Sequence, residues 1–517
     1  MSPNENNPAP ASEWIRRHSD PILSPAESAA LEKRLLTTEN AEWGAMKRAG
    51  AAIAEAVTTD FREIGGLPAK ASILVLIGKG HNGGDALLAA DRLLEKFPGA
   101  HATVVKVFGD APLRPLAQRA LDALRTRGSR IDFVGRDSFD GETRTFDLCL
   151  DGIFGFQFHP PVDEATAKLI VSVNSRGGIT LRAAVDLPSG LGDKTVFRAD
   201  FTHATGIVKT PVAAPENVGV VGRLRYLDLG FFPRAGDPAP GNERVLVPSL
   251  LEPLGRMRPA DADKRTYGHV VLVGGSKRYP GAIFMAAEAA VRTGVGLATA
   301  WVPDVLVPEY AAKLPEVMWN GWSTTGSGFL SPQAVPAIIE SLAKASALLV
   351  GPGMGAESAT TEALCQLVGA AKCPVVLDAD ALRPEVVAAR GGRPAVATPH
   401  AGEFHRLAGD ESLREYCRRT GLVVTLKGPR TRICDGEVEY LSPFGGPVLS
   451  RGGSGDLLAG MTAGLLAQSA GNLVLAATQA VAWHGQAADR LARERGQVAV
   501  HTTELLDHLF AIIRSPV

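Results

Sequence analysis

The run RGGSGD at residues 451–456 passes without a break into the apolar stretch 457–466, and it holds residue types that could seat a phosphate and move a proton. Successive glycines let the backbone turn sharply and aim N–H groups at one point, and a helix starting there adds its positive end. Asp456 then falls in the first turn of that helix, where a carboxylate beside a phosphate can take a proton from an attacking hydroxyl. The same residues also suit a tight loop whose Asp helps to cap a helix.

Such a base needs rigid elements around it. In the second half of the chain, runs rich in Val, Ile and Leu predict strands at 269–273, 297–301, 347–350, 374–377, 395–398 and 422–426. Helical patterns lie at 281–292 and 358–368, and from 453 onward the chain reads as largely helix. That alternation predicts an open α/β sheet with helices on both faces, whose ligands bind at the carboxyl ends of the strands. Those ends carry Gly274, Gly275 and Ser276, then GPGMG (351–355), DADAL (378–382), PHAGE (399–403), and finally Lys427, Gly428 and Thr431. Turn chemistry explains any one of these loops, but less easily a whole set on one edge. His400, directly after a strand, is read as a substrate contact in preference to a structural histidine. Glu403 suits either a magnesium-bound water or an exposed first-turn helix carboxylate.

The first half repeats the alternation, with strands at 71–77, 103–107, 147–150 and 181–185 and helices at 85–96, 112–125 and 164–174. The loop GKGHNGGD (78–85) joins strand to helix as a phosphate-cradling turn does, yet it has neither the Lys-Ser/Thr of a P-loop nor the dinucleotide GxGxxG spacing. Two more strand ends, DGIFGF (151–156) and VDLPSG (185–190), each present an acid. Three prolines and two glycines in 231–245 mark a break. The expected organisation is a disordered lead-in over 1–25, a domain over 26–235, a linker over 236–245 and a second domain over 246–517.

The whole is large enough for two cores at 517 residues, and its formal charge of −1 offers no footprint for nucleic acid. Five cysteines, without a CxxC pair, speak against a disulfide framework or zinc site and for a reducing cytoplasm. Uninterrupted apolar stretches of membrane-spanning length are absent, so no membrane association is expected.

The segments YGHVVLVGGSKRYPGA, VGPGMG, LDADAL, TPHAGEF, LKGPRT and GGSGDLLAG occur in the order and spacing of the ADP/ATP-dependent NAD(P)H-hydrate dehydratases, and residues 245–517 resemble that ribokinase-like family. The resemblance implies that Lys427, Gly428 and Thr431 lie near the nucleotide, with Gly452, Gly453, Ser454 and Gly455 about its phosphates. It implies Asp456 as catalytic base, and Ala282, Gly355 and His400 beside the hydrated dinucleotide. Phosphorylating the hydroxyl that water leaves on the nicotinamide ring creates a leaving group, with ADP and Mg2+ as the implied co-substrate and ion. One departure stands out: a GNPGMAT-like run is usual before GGSGD, whereas this chain has GGPVLSR (445–451).

Residues 30–235 resemble the NAD(P)H-hydrate epimerases through their GNNGGDG, DAIFGxG and VDxPSG elements. That match implies a potassium ion held by Asn82, Asp151 and Ser189, and substrate contacts from His81, Asn82, Gly83, Gly84, Asp85, Gly155, Phe156 and Asp186. Proton transfer near the hydrated carbon needs a base and an acid; Asp186 and Lys106 are the candidates, although Lys106 equally suits a solvated surface. His81 and Ala86 depart from the pattern, as does Lys47 where an acid is common. The expectation is two open three-layer αβα domains, Rossmann-like then ribokinase-like, forming a bifunctional repair enzyme for NADHX and NADPHX. It would be a homo-oligomer, without nucleic-acid or membrane partners. The alternative is a ribokinase-like small-molecule kinase with a non-catalytic N-terminal module.

Overall fold

The computed structural model describes residues 11–139, 144–236 and 238–514. They divide into two compact units. One holds Pro21–Pro233 with the short segment Ala492–Gln497; the other holds the residues up to Asp20, Arg234–Leu491 and those from Val498 onward.

The chain's first strand, β1 (Ser19–Pro21), belongs to the larger of two sheets. The next seven are β2 (Ser72–Ile77), β3 (His101–Lys106), β4 (Ile131–Gly135), β5 (Phe146–Gly152), β6 (Ile179–Val185), β7 (Phe201–Thr205) and β8 (Arg223–Leu227). They lie in the order β4-β3-β2-β5-β6-β7-β8, every neighbouring pair parallel. Both faces of this sheet are covered, which is why β2 is an apolar run without alternation: Ile73 through Ile77 are all buried. The chain leaves β2 toward β3 on one side and returns through β5 on the other, so a crevice opens between the loops at their carboxyl ends.

The larger sheet continues with β9 (Glu243–Leu246), β10 (His269–Val273), β11 (Leu297–Pro303), β12 (Met318–Trp322), β13 (Ala347–Val350), β14 (Val375–Leu377), β15 (Ala395–Ala397), β16 (Val423–Leu426), β17 (Arg432–Cys434) and β18 (Glu439–Leu441). Its order is β1-β9-β18-β17-β16-β15-β14-β13-β10-β11-β12. From β16 to β12 every pair is parallel, and an antiparallel hairpin, β17 and β18, carries the sheet on toward β9. The helix Ser454–Gln468 is buried nearly all round, and its glycines let the helix Pro280–Arg292 come close: a Cβ on Gly460 would lie 2.0 Å from the Ala286 carbonyl oxygen. Among the described residues no helix is long and apolar enough to cross a membrane.

Two expectations about the termini of the domains are corrected. Residues 1–10 of the lead-in lie outside the described residues, but the remainder is ordered, with a helix at Ala11–Arg17 followed by β1. The reason is Arg244, only 1% exposed, whose guanidinium donates to the Ser19 hydroxyl at 2.8 Å and the Arg16 carbonyl at 2.8 Å. A buried arginine needs such acceptors, and the lead-in supplies them. The 236–245 linker likewise ends early, because Glu243 already pairs with Glu439 as part of β9.

Candidate functional site

Each unit gathers its chemistry at the carboxyl ends of its own strands. In the C-terminal unit Gly453, at φ 92°, turns the chain into the helix Ser454–Gln468, a conformation that glycine adopts without the Cβ penalty. A Cβ there would also strike the Met285 sulfur at 2.6 Å. Asp456 follows in the first turn, and its carboxyl is pushed up to about 6, chiefly by burial and then by the charge of Asp378, against the pull of Lys427. The Lys427 ammonium donates to Asp378 Oδ1 at 2.9 Å. Burial alone would lower this lysine, but Asp378, Glu403 and Asp456 outweigh burial and raise it. A Cβ on Gly455 would come within 3.2 Å of the same ammonium, so the glycine turn and the lysine face one space.

The neighbouring strand ends close in around this group. Gly355 donates its N–H to Asp380 Oδ2 at 2.7 Å, and Ala282 on the helix Pro280–Arg292 touches the place a Cβ on Gly353 would fill, at 3.2 Å. The Lys427 N–H donates to the Pro399 carbonyl at 2.8 Å, which brings the PHAGE loop alongside. There His400 and Glu403 form a capping box on the helix Ala401–Ala408: His400 Nδ1 accepts the Glu403 N–H and Glu403 Oε2 accepts the His400 N–H. For Glu403 the geometry records helix capping, although the residue is buried rather than exposed. Gly428 is exposed and Thr431 donates weakly to its carbonyl at 3.4 Å, at the open side beyond Lys427.

The unusual approach GGPVLSR forms a short 3-10 turn at Pro447–Leu449. Gly445 donates its N–H to Asp489 Oδ2 at 3.1 Å, and Arg451 donates to the carbonyls of Val500 and Val498 at 2.5 and 2.6 Å. Arg451 is thus a tether for the loop. His484 packs against the Ser454 backbone from below, fully buried, and burial drives its ring down to about 4, so it is neutral. Asp378, Asp380, His484 and Asp489 were assigned no role from the sequence; the two acids of DADAL carried the one available signal, their place after a strand.

In the N-terminal unit the strand ends enclose a cavity of about 500 Å³. Among the residues lining it are His81, Asn82, Asp85, Gly155, Phe156 and Asp186. Gly83 and Gly84 are buried, and a Cβ on Gly84 would lie 2.8 Å from the Met46 sulfur. Asp186 has a φ of 66°, a left-handed conformation rare for a residue with a side chain, and its Oδ1 accepts from Lys209 Nζ at 2.5 Å. Asp85 is raised well above the ordinary carboxyl range by burial and then by Asp186 and Glu32. Glu32, from the helix Pro25–Leu35, also lines the cavity and is raised to about 7 by burial, with Lys209 opposing.

Lys106 is not brought to this group. It ends β3, but its ammonium lies 3.6 Å from the exposed Asp110 and is absent from the cavity wall. Asn82, Asp151 and Ser189 do converge: the Asn82 amide donates to the Phe154 and Val185 carbonyls at 2.8 Å each, and Ser189 donates to Asp151 Oδ1 at 2.6 Å. Asp151 is fully buried, has no cationic partner among the described residues, and is pushed up to about 6 by that burial. An anionic oxygen set lacking a counter-charge fits a hard cation. The departures in the loop are accommodated. Ala86 is buried against Gly152, whose missing side chain leaves it room, and Lys47 is exposed away from the cavity. His81 lines the cavity, and partial burial and then the charge of Arg114 lower its ring.

Comparison with known proteins divides at the same place. Residues 270–510 match the family model described as NAD(P)H-hydrate dehydratase, and residues 44–211 match that of the YjeF-related protein N-terminus. The chain is 34% identical over 496 residues to a bifunctional NAD(P)H-hydrate repair enzyme of Moorella thermoacetica, covering 91% of this chain and 92% of the relative. It is 35% identical over 514 residues to the corresponding enzyme of Gloeobacter violaceus, covering 94% and 96%. A solved structure of the ADP/ATP-dependent NAD(P)H-hydrate dehydratase of Bacillus subtilis, co-crystallised with ATP and Mg2+, is 28% identical over 51% of this chain and 95% of that one, with a TM-score of 0.43.

Proposed function

The chain belongs to the family of bifunctional NAD(P)H-hydrate repair enzymes, and from that premise we propose how its residues divide the work. It has both activities of that family, epimerisation of the hydrates and their dehydration. We assign epimerisation to the cavity of the N-terminal unit and dehydration to the strand ends of the C-terminal unit.

For dehydration, Asp456 takes the proton of the hydroxyl on the hydrated ring as a phosphoryl group is transferred to it. The N–H groups of Gly452, Gly453 and Gly455 and the helix end stabilise the phosphoryl oxygens. The ring nitrogen then expels phosphate from the phosphorylated carbon, and the iminium so formed loses a proton from the adjacent ring carbon to restore the dihydronicotinamide double bond. Lys427, Gly428 and Thr431 hold the nucleotide, which we take to be ADP with Mg2+, while Ala282, Gly355 and His400 face the S hydrate. The observation that carries this reading is the half-buried carboxyl of Asp456, raised to about 6, in the first turn of a glycine-started helix. A base working near neutral pH needs such a value.

For epimerisation, Asp186 is the base. His81, Asn82, Asp85, Gly155 and Phe156 shape the cavity around the hydrated nicotinamide, with Gly83 and Gly84 behind them. Asn82, Asp151 and Ser189 would hold a potassium ion, which when bound supplies positive charge beside the substrate. Lys106 is set aside as the acid because it lies off the cavity wall. The five free cysteines support a reducing, cytoplasmic setting. Met257, 98% exposed, and Phe510, 66% exposed, leave apolar surface that self-association would cover, which sedimentation velocity can read.

The deciding experiment supplies an R/S mixture of hydrated NADH with magnesium and either ADP or ATP, and follows recovery of NADH absorbance against the spontaneous epimerisation rate. Full recovery is expected. Recovery that stops at the S fraction would remove the epimerase half, and none at all would remove both.

A further inference from the structure

We propose that Lys209 is the positioning residue of epimerisation: its ammonium fixes one oxygen of Asp186 and leaves the other to take the proton of the hydroxyl on the hydrated carbon as that carbon's bond to the ring nitrogen opens, giving an aldehyde and leaving the electron pair on nitrogen, and to return it when the bond re-forms on the opposite face. This rests on the reading of Asp186 as the base.

The geometry is one-sided. Oδ1 of Asp186 accepts three donors: Lys209 Nζ at 2.5 Å, the Thr205 hydroxyl at 3.1 Å and the Thr205 N–H at 3.2 Å. Oδ2 accepts none among the described residues. A carboxylate held in that way cannot rotate to share its load, so one defined oxygen is left for a ligand in the cavity that Asp186, Thr205 and Lys209 all line. Lys209 itself is 1% exposed and sits 5.1 Å above the Phe156 ring, so its charge acts across a desolvated gap.

The same ammonium sorts the acids around it. Three carboxyls from three elements meet here: Asp186 after β6, Asp85 on the helix His81–Lys96 and Glu32 on the helix Pro25–Leu35. One buried cation can stabilise one buried anion at full strength, and it lies in hydrogen-bond contact with Asp186 alone. Asp186 therefore takes the cation, while burial raises the Asp85 carboxyl well above the ordinary range and that of Glu32 to about 7. Carboxyls whose surroundings drive them apart are how one site holds both a base and an acid. Lys209 lies four residues beyond β7 and touches Asp186 only through the fold, which is why spacing in the sequence does not point to it.

The test uses the full chain, with the R hydrate of NADH as substrate and its own dehydration step as the reporter. In Lys209→Met, kcat for the R hydrate is expected to fall about 100-fold or more with KM changed less than about threefold. The pH below which the residual rate drops should move up, as loss of an opposite charge requires. Turnover of the S hydrate should be unchanged. A wild-type kcat, or a loss of rate with the low-pH edge in its wild-type place, would overturn the proposal. Thr205→Val, which removes one of the three donors while keeping the lysine, decides the matter if Lys209→Met does not fold. A fall of about tenfold with an upward move of the edge supports the proposal, and wild-type behaviour overturns it. Asp186→Asn separates the premise: if that variant epimerises normally, the base is elsewhere and the underlying reading fails first.

Discussion

The ammonium of Lys427 lies 2.9 Å from Asp378 Oδ1, and the charge of that same aspartate is the second cause, after burial, that raises Asp456. The lysine and the base are thus coupled through an acid to which no catalytic role was given. Asp378→Asn removes the like charge and frees Lys427 to lean toward Asp456, and both changes favour the ionised base. The low-pH edge of kcat/KM for the S hydrate, expected near pH 6 in the natural protein, should move down by about half a unit to one unit. The rate plateau should drop about tenfold as Lys427 loses its fixed place. An edge that stays near pH 6 in this variant would show that Asp378 does not set the charge on Asp456.

Asp456→Asn should abolish dehydration yet stabilise the fold. The carboxyl ionises near its ordinary value of 3.8 when unfolded and at about 6 when folded, so the native state binds the proton more tightly. Between those values a rise in pH favours the unfolded chain, and the cost of the ionisable group accumulates to at most about 3 kcal/mol, constant above about pH 6. An amide escapes it. Denaturant melts of the ligand-free protein should show the variant ahead at pH 7.5 and level with the natural protein near pH 4. A variant equally stable or weaker at pH 7.5 would contradict the raised carboxyl.

What the sequence disclosed was the set of loops. Apolar runs buried on both faces, such as β2, β10 and β13, declare themselves by composition, and the residues after them follow directly. Less legible were strands with mixed faces: β4, whose Phe133 is 44% exposed, and β7, which reads FTHAT yet is wholly buried. The short hairpin β17 and β18 gives no period long enough to detect. Missing β7 meant missing Lys209, which follows it. Lys106 shows the opposite failure: its place at a strand end was read correctly, but a strand end fixes a backbone, and the side chain turned to Asp110. Helices carry even less local signal for a site, so Glu32 and His484 emerged only once packing brought them in.

Arg451 should prove a strut for the glycine turn. Its two hydrogen bonds to the carbonyls of Val500 and Val498 come from a charged donor, a class worth about 1.5–3 kcal/mol each at most. Arg451→Ala would leave the turn held by fewer contacts, among them the Thr502 hydroxyl donating to the Gly452 carbonyl at 3.2 Å. The expected outcome is a KM for the nucleotide raised about tenfold with kcat changed less, and epimerisation of the R hydrate untouched. Were kcat to fall while the nucleotide KM held, Arg451 would be acting on the transferred phosphoryl group instead.

Gly78→Ala should silence the N-terminal site by a steric route alone. At the end of β2 an added Cβ would fall 1.8 Å from the Ile153 carbonyl oxygen and 2.8 Å from its carbon, both backbone atoms that cannot rotate aside. Relief requires the loop after β2 to part from the loop after β5, and those loops carry Asn82 and Phe154, joined by the 2.8 Å bond from the Asn82 amide. Overpacking of this kind costs about 1–3 kcal/mol even where side chains can adjust, and backbone crowding is less forgiving. Epimerisation should fall about 100-fold or more, with the N-terminal unit unfolding at a lower temperature. Dehydration of the S hydrate, built on a different sheet, should keep its rate. Epimerisation at the natural rate would mean that the two loops can separate without loss, and so that their close approach does not define the cavity.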